Sequence, residues 1–219
     1  MLGRLLVLLL VLLWTTRSAT CLLGRRQVLT YGSVWSMARP SAATAADVIP
    51  EHVYLYGDID PDTCAELTQT LLREERAQVS KRGRAKLTPI HLHVQSGGGA
   101  LTPALYACDV IDSMAVPVYS FVEGSVASAA SLLTVVADKR YMTKRSVLLL
   151  HQPSLELGEL RYDMLGDKLY NVKLLYDTMV DLYVEHSKLK RSAVEALLST
   201  EKYLTAAEAK EHGLVDVIL

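Results

Sequence analysis

The stretch PVYSFVEGSVASAASLLTVVA, residues 117–137, decides the fold class of this 219-residue chain. Residues 117–122 are rich in β-forming side chains and predict a strand. The residues from Gly124 to Ser128 follow as a predicted turn, and the apolar run after Ser128 predicts a helix to about residue 137. A strand that leads through a tight turn into a helix is the repeating unit of α/β folds with parallel sheets.

The same alternation continues on both sides of this stretch. Further strands are predicted at residues 52–56, 90–94, 140–142, 146–150 and 214–219, and helices at about 62–76, 102–114, 162–186, 193–198 and 206–211. Asp62 or Thr63 is the expected N-cap of the first of these helices. The strand at 90–94 alternates, so His91 and His93 share the face opposite its aliphatic residues. We therefore expect one α/β domain with a largely parallel sheet.

The first 46 residues differ from the rest of the chain. They contain five arginines and no acidic residue, and an apolar run at residues 5–14 follows Arg4. This order predicts a signal peptide at residues 1–20 and a transit-peptide-like segment at 21–46, because the apolar run is too short to span a bilayer. Such a pair of signals is typical of plastids enclosed by the endomembrane system. A mitochondrial presequence is the alternative, and a secreted protein would leave the second basic segment unexplained.

Composition excludes several functions for the predicted domain, residues 47–219. Of the 23 basic and 24 acidic side chains, 18 and 24 lie in this region, so its net charge is −6 and a nucleic-acid partner is not expected. Cys21, Cys64 and Cys108 lack the spacing of metal ligands, which favours buried apolar thiols. His91 and His93 make up half of a metal site, but no third ligand is evident, so we expect exposed side chains and no metal.

Ser128 is the first candidate for chemistry. It precedes a helix whose first amides lack acceptors, so the amide of Ala129 can stabilise a developing oxyanion. A serine hydroxyl needs an adjacent base, and His151, in the HQP sequence after the predicted strand at 146–150, is the candidate. The alternatives are a helix cap at Ser128 and a structural histidine at the end of a strand.

A glycine-rich turn and an acidic C-terminal region complete the candidate set. The SGGG sequence at residues 96–99 follows a strand and lets a substrate backbone approach closely, although a flexible turn is the alternative. Neither GxGxxG nor GxxxxGK[ST] occurs, which argues against a phosphate loop. A carboxylate near Glu201, or in the GLVD sequence at residues 213–216, would orient the imidazole.

In this order the motifs resemble those of the proteolytic subunit of the Clp protease, a serine peptidase family. The SGGG turn, the GSVAS sequence at 124–128, HQP at 151–153 and GLVD at 213–216 carry the likeness, which covers about residues 51–219. The resemblance implies a crotonase-like spiral of ββα units. It also implies that residues 154–186 form a protruding handle, made of a strand and a long helix.

The resemblance implies roles for individual residues. These are a catalytic triad of Ser128, His151 and Glu201, oxyanion-binding amides of Gly99 and Ala129, and a substrate-backbone loop at Gly97 and Gly98. Glu201 stands where the family has an aspartate, and its additional methylene leads us to expect reduced activity.

An assembly is implied as well. Family members form two stacked heptamers that cut unfolded polypeptides to short peptides for protein quality control, fed by an ATP-driven Hsp100 unfoldase. The peptidase subunit itself would carry no cofactor and would bind no membrane, and the targeting region indicates the plastid stroma, or alternatively the mitochondrial matrix.

Three features leave alternatives open. His91 and His93 stand where family members have aromatic residues of the unfoldase docking pocket, and little chain precedes Glu51 for an axial loop. The substitution at Glu201 favours a weak or inactive structural subunit of a mixed ring as the alternative function. An acyl-CoA enzyme of the crotonase fold is a third reading, but no clear CoA-phosphate site is found.

Overall fold

The computed structural model describes residues 51–82, 87–154 and 161–219. The predicted signal and transit segments lie outside the described residues, as does the part of the predicted handle at 155–160.

Strands and helices alternate along the described chain. The strands are β1 (His52–Tyr56), β2 (Ile90–Ser96), β3 (Val118–Ala127), β4 (Lys139–Met142), β5 (Val147–Leu149), β6 (Leu204–Thr205) and β7 (Val217–Ile218). The helices are α1 (Pro61–Arg82), α2 (Leu101–Ser113), α3 (Ala129–Val135), α4 (Leu165–His186), α5 (Arg191–Leu198) and α6 (Ala206–Glu211).

The strands form one sheet in the order β1-β2-β3-β4-β7, and every neighbouring pair in that row is parallel. β5 pairs in parallel with the second half of β3 and antiparallel with the two-residue β6. The predicted α/β class with a largely parallel sheet is thus confirmed.

The predicted turn over residues 124–128 is wrong, because β3 continues to Ala127. Its first half pairs with β4 and its second half with β5. Against β2 the register shifts, so that Val94 lies opposite Val122 whereas Ser96 lies opposite Val126. Such a bulge bends a strand without ending it. The chain therefore turns at Ser128 alone.

The predicted N-cap of the first helix is also wrong. The helix begins at Pro61, and Asp60 accepts a hydrogen bond from the amide of Thr63 at 2.7 Å. Proline is well suited to the first helical position, and an aspartate immediately before it supplies the capping oxygen. The helix extends to Arg82, six residues beyond the predicted end.

The core lies between one face of the sheet and the helices. The aliphatic residues of β2 (Ile90, Leu92 and Val94) are fully buried, as the alternation predicted. Cys64 and Cys108 are buried free thiols, in agreement with the prediction, and burial raises the pKa of Cys64 to about 11. Among the described residues, no helix has the length and apolar character needed to cross a membrane.

The opposite face of the sheet is covered by rings, and we call it the histidine–aromatic face. It consists of His52, Tyr54, Tyr56, His91, His93, Tyr119, Phe121 and Tyr141. Phe121 stacks on His93 and on Tyr141 with ring centroids 4.7 Å apart in both pairs. Burial lowers the pKa of His52 and of His91, so both imidazoles are neutral near pH 7.

Candidate active site

Ser128 lies at the junction of β3 and α3 in a strained backbone conformation. Its φ and ψ are 55° and −133°, and it is the one non-glycine residue with positive φ in the described part of the chain. Such a conformation costs about 1–3 kcal/mol and is concentrated at functional sites. The amide of Ser128 donates to the carbonyl of Leu149 in β5 at 2.9 Å. A strained turn that presents a serine between a strand and a helix is also the arrangement in which the nucleophilic serines of other hydrolases occur.

A buried hydrogen-bond network holds this turn from below. The Ser131 hydroxyl donates to the Ser128 carbonyl at 2.5 Å and lies 2.6 Å from the Tyr183 hydroxyl. Because the proton of Ser131 is committed to Ser128, Tyr183 donates to Ser131. Tyr183 is only 1% exposed, and this burial raises its pKa, which keeps it a donor.

The sequence pattern missed this role, because it predicted only that Tyr183 lies in the long helix at residues 162–186. A usable signal was present, since the hydroxyl of a buried tyrosine needs a hydrogen-bond partner. The hydroxyl of Tyr183 was thus a polar atom whose partner had not been assigned. That partner proves to lie one helical turn beyond the candidate nucleophile.

The glycine-rich turn packs directly against Ser128. Gly98 is buried, has a φ of 94° and donates its amide to the Ser96 hydroxyl at 3.1 Å. A β-carbon added at Gly98 would lie 2.5 Å from Cβ of Ser128, so only glycine fits. Gly97 is exposed, and a β-carbon there would meet nothing within 4 Å. Gly98 thus faces Ser128, whereas Gly97 faces the solvent.

The amides of Gly99 and Ala129 are placed as potential oxyanion donors. Ile59 donates to the carbonyl of Gly98 at 2.9 Å and accepts from the amide of Ala100 at 2.7 Å. These two hydrogen bonds of Ile59 involve the carbonyl of Gly98 and the amide of Ala100, on either side of Gly99. The amide of Gly99 itself takes no part in them. Ala129 is the first residue of α3, where an amide has no acceptor within the helix.

A cavity of about 210 Å³ brings most of the predicted site residues together. It is lined by Gly99, Ala100, Leu101, Ser128, Ala129, His151, Pro153, Ser154 and Met179. Of the predicted set, the nucleophile, the base and both oxyanion amides share this cavity. Ser154 and Met179 were not predicted, and nothing in the sequence pattern pointed to them.

His151 lies just beyond β5 and is half-buried. Its Nδ1 is 2.8 Å from the carbonyl oxygen of Gln152, and the amide of Gln152 donates to the carbonyl of Leu198 at 3.0 Å. When Nδ1 carries the proton and donates to this carbonyl, Nε2 retains its lone pair, as a general base requires. No direct hydrogen bond joins His151 to Ser128 within the described residues, and such contacts commonly tighten only with substrate bound.

The two candidate acids differ in their surroundings. Asp216 accepts from Arg140 at 2.7 Å, which fastens the end of the chain to β4, and the hydrogen bonds from Arg140 lower the pKa of Asp216. The carboxylate of Asp216 is therefore paired with Arg140 and does not orient the imidazole of His151. Glu201 is exposed and makes no hydrogen bond or ion pair with another described residue. Its role as the third member of the triad stays a prediction.

Comparisons with known proteins decide the family. The family model described as Clp protease matches residues 45–219. The chain belongs to the Clp protease family. The ATP-dependent Clp protease proteolytic subunit 1 of Chlamydia abortus is 31% identical over 135 residues, which are 60% of this chain and 70% of that protein. The protein of the same name from Chlamydia pneumoniae is 30% identical over the same shares of both chains. Since the Clp protease family consists of serine peptidases, this chain is a serine-type peptidase subunit.

Proposed function

We propose that Ser128 is the nucleophile of this peptidase and His151 its general base. The observation that carries the proposal is the meeting of a strained serine, an imidazole and two candidate donor amides in one cavity. We assign Glu201 to orient the imidazole during turnover. No cofactor is required, because serine, imidazole and backbone amides supply nucleophile, base and oxyanion binding.

The proposed reaction follows from these positions. The Ser128 oxygen attacks the scissile carbonyl carbon while Nε2 of His151 takes the hydroxyl proton. The amides of Gly99 and Ala129 hold the resulting oxyanion. The C–N bond then breaks, and His151 returns the proton to the leaving amine. A water that loses its proton to His151 hydrolyses the acyl-enzyme, and this step restores Ser128.

The exposed edge of the glycine turn fits an extended substrate. Gly97 is exposed and has open space where a side chain would be, so a peptide backbone can lie beside it. Pairing through backbone groups does not depend on the substrate's side chains. We therefore assign unfolded polypeptides as the substrate class and short peptides as the product.

The long helix α4 supports assembly into stacked rings. Its first half exposes large apolar side chains, among them Leu169, Tyr170 and Leu174 at 58%, 69% and 54%. Exposed apolar surface on this scale marks an interaction site. We propose that these residues join two heptameric rings into a tetradecamer, and that an ATP-driven Hsp100 unfoldase feeds the chamber.

On the character of residues 1–46 we place the assembly in the plastid stroma, where it would serve protein quality control.

Labelling of the serine tests the catalytic assignment. We expect a fluorophosphonate to label the assembled wild-type protein and not the Ser128→Ala variant, with peptide cleavage lost in parallel. Ser154→Ala is the matched control, because Ser154 lines the same cavity and should leave labelling intact. If Ser128→Ala left peptide cleavage by the assembled complex unchanged, the chain would be a structural subunit of a mixed ring. The likeness to proteins named proteolytic subunits does not favour that alternative.

A charge on the exposed face of α4 tests the assembly. We expect Leu169→Asp to separate the rings in sedimentation velocity, because it places a carboxylate in an apolar contact. Lys168→Asp introduces the same carboxylate one residue earlier and, as the control, should leave the sedimentation coefficient unchanged. If both variants had the same sedimentation coefficient, the proposal that α4 forms the contact between the rings would be refuted.

A further inference from the structure

Three imidazoles converge on the histidine–aromatic face, away from Ser128. His52 lies in β1, directly opposite His91 of β2, and His93 lies two residues further along β2 on the same face. One ligand nitrogen from each of the three lies within 4.8 Å of the others. His91 and His93 lacked a third ligand in the sequence, and pairing of β1 with β2 supplies His52.

Between His52 and His93, a proton occupies the position that a bound metal ion would take. Nδ1 of His52 lies 2.8 Å from Nε2 of His93, so the two nitrogens share one proton. Zinc binds imidazole nitrogen at about 2.0–2.1 Å in a tetrahedron, which sets its ligand nitrogens about 3.3 Å apart. Replacing the proton by Zn²⁺ thus requires these two nitrogens to separate by about half an ångström. The His52 proton moves to Nε2 of the same ring, and the imidazole stays neutral.

A carboxylate orients the central imidazole from behind. Nδ1 of His93 donates to Glu123 at 2.7 Å, and the other oxygen of Glu123 accepts from the Tyr56 hydroxyl at 2.6 Å. This fixes the tautomer of His93 so that the lone pair of Nε2 faces His52. A histidine held in this way by a carboxylate is the usual outer support of a zinc ligand.

The rings are held on rigid elements and remain accessible. His93 is stacked between Tyr54 and Phe121, with ring centroids 4.8 and 4.7 Å away. All three histidines are half-buried, so an ion can reach them from solvent. Ligands on paired strands with packed neighbours require little reorganisation on binding.

We propose that His52, His91 and His93 bind one Zn²⁺ ion with the fourth position open. Neutral imidazole nitrogen is a preferred zinc ligand. Three protein ligands with a free position leave room for water or for a donor group from a bound partner. The site is separate from the peptidase residues, so zinc binding does not depend on the proposed catalytic roles.

Isothermal titration of the full chain with ZnCl₂ tests the site. We expect one equivalent of Zn²⁺ bound per chain with a dissociation constant below about 1 µM. The His91→Asn variant should bind at least about 100-fold more weakly. Glu123→Gln keeps all three ligands, and the loss of outer support should weaken binding by about 10–100-fold. Peptide cleavage by metal-free protein should be the same in both variants and the wild type.

His212→Asn and His151→Asn are the matched controls, because each removes one imidazole elsewhere and should leave the zinc affinity unchanged. Circular dichroism of the metal-free variants checks that they fold. If a variant fails to fold, the titration of the wild type still tests whether the chain binds zinc. Absence of saturable binding by the wild type up to about 100 µM Zn²⁺ would overturn the proposal. So would an equal loss of affinity in His151→Asn and His91→Asn.

Discussion

Replacing Gly98 with alanine should damage both the fold and the active site. Gly98 is buried with a φ of 94°, and an added β-carbon would lie 2.5 Å from Cβ of Ser128 and 2.7 Å from the carbonyl oxygen of Ala127. Neither contact is with the far end of a flexible side chain, so relief requires movement of the backbone. The alanine would thus push against the turn that presents Ser128, the proposed nucleophile.

The magnitude follows from two contributions. A left-handed backbone costs an alanine roughly 1–2 kcal/mol, and overpacking a buried position adds about 1–3 kcal/mol. We therefore expect the free energy of unfolding of Gly98→Ala to fall by about 2–5 kcal/mol. If the strain is relieved by moving Ser128 about 1 Å, peptide cleavage should fall by about 100-fold.

Gly97→Ala is the matched control. An added β-carbon at Gly97 meets nothing within 4 Å, and the position is exposed. Its free energy of unfolding should stay within about 0.5 kcal/mol of the wild type. Urea unfolding measures stability, and cleavage of a fluorogenic peptide by the assembled enzyme measures activity. An equal loss of unfolding free energy in the two variants would refute the claim that Gly98 supports Ser128.

Three further predictions concern the network, the C-terminal ion pair and a helix cap. Tyr183→Phe leaves Ser131 without its hydrogen-bond donor, so we expect the free energy of unfolding in urea to fall by about 1–2 kcal/mol. We also expect a lower kcat at unchanged KM. If the tyrosine had a purely structural role, the substitution would lower stability alone. Asp216→Asn removes the carboxylate whose pKa is depressed by the hydrogen bonds from Arg140, and also by the charge of Lys139. The stability due to this carboxylate is present above its unfolded pKa of about 3.9 and is lost as the pH falls through the lower folded pKa. The gap between wild type and variant in urea unfolding should therefore be full at pH 6 and close in strong acid, whereas a constant gap would contradict this origin. Thr205→Ala removes the capping box of α6 and should cost about 1 kcal/mol in thermal unfolding, with no change in fluorophosphonate labelling of Ser128.

The parts of the fold that were predicted depend on local patterns. Alternation along β2 identified its buried face, and the β-forming and apolar runs located the other strands and the helices. The end of β3 was misplaced because Gly124 has the signature of a turn. Whether a glycine ends a strand or sits in a bulge depends on its neighbours, and here β5 takes over the pairing from β4.

The candidate site was predicted in part for the same reason. Ser128 and His151 follow recognisable local motifs, and the cavity unites them. The contact between Tyr183 and Ser131 joins residues 52 positions apart, and that between His52 and His93 joins residues 41 apart. Such contacts follow from strand register and helix packing, which periodicity in a single sequence does not specify.

The strain at Ser128 persists because contacts from three directions restrain the same turn. The Ser128 amide is bonded to Leu149 in β5, and the Ser128 carbonyl is bonded to Ser131. Each such bond contributes about 0.5–1.5 kcal/mol net, which together is comparable to the 1–3 kcal/mol of strain. The third restraint is Gly98, which packs against Ser128. Its hydrogen-bonded turn leaves no space for Ser128 to move toward it. Relaxation of the turn would break both bonds or displace the glycine turn, and the serine therefore remains presented to the cavity before any substrate binds.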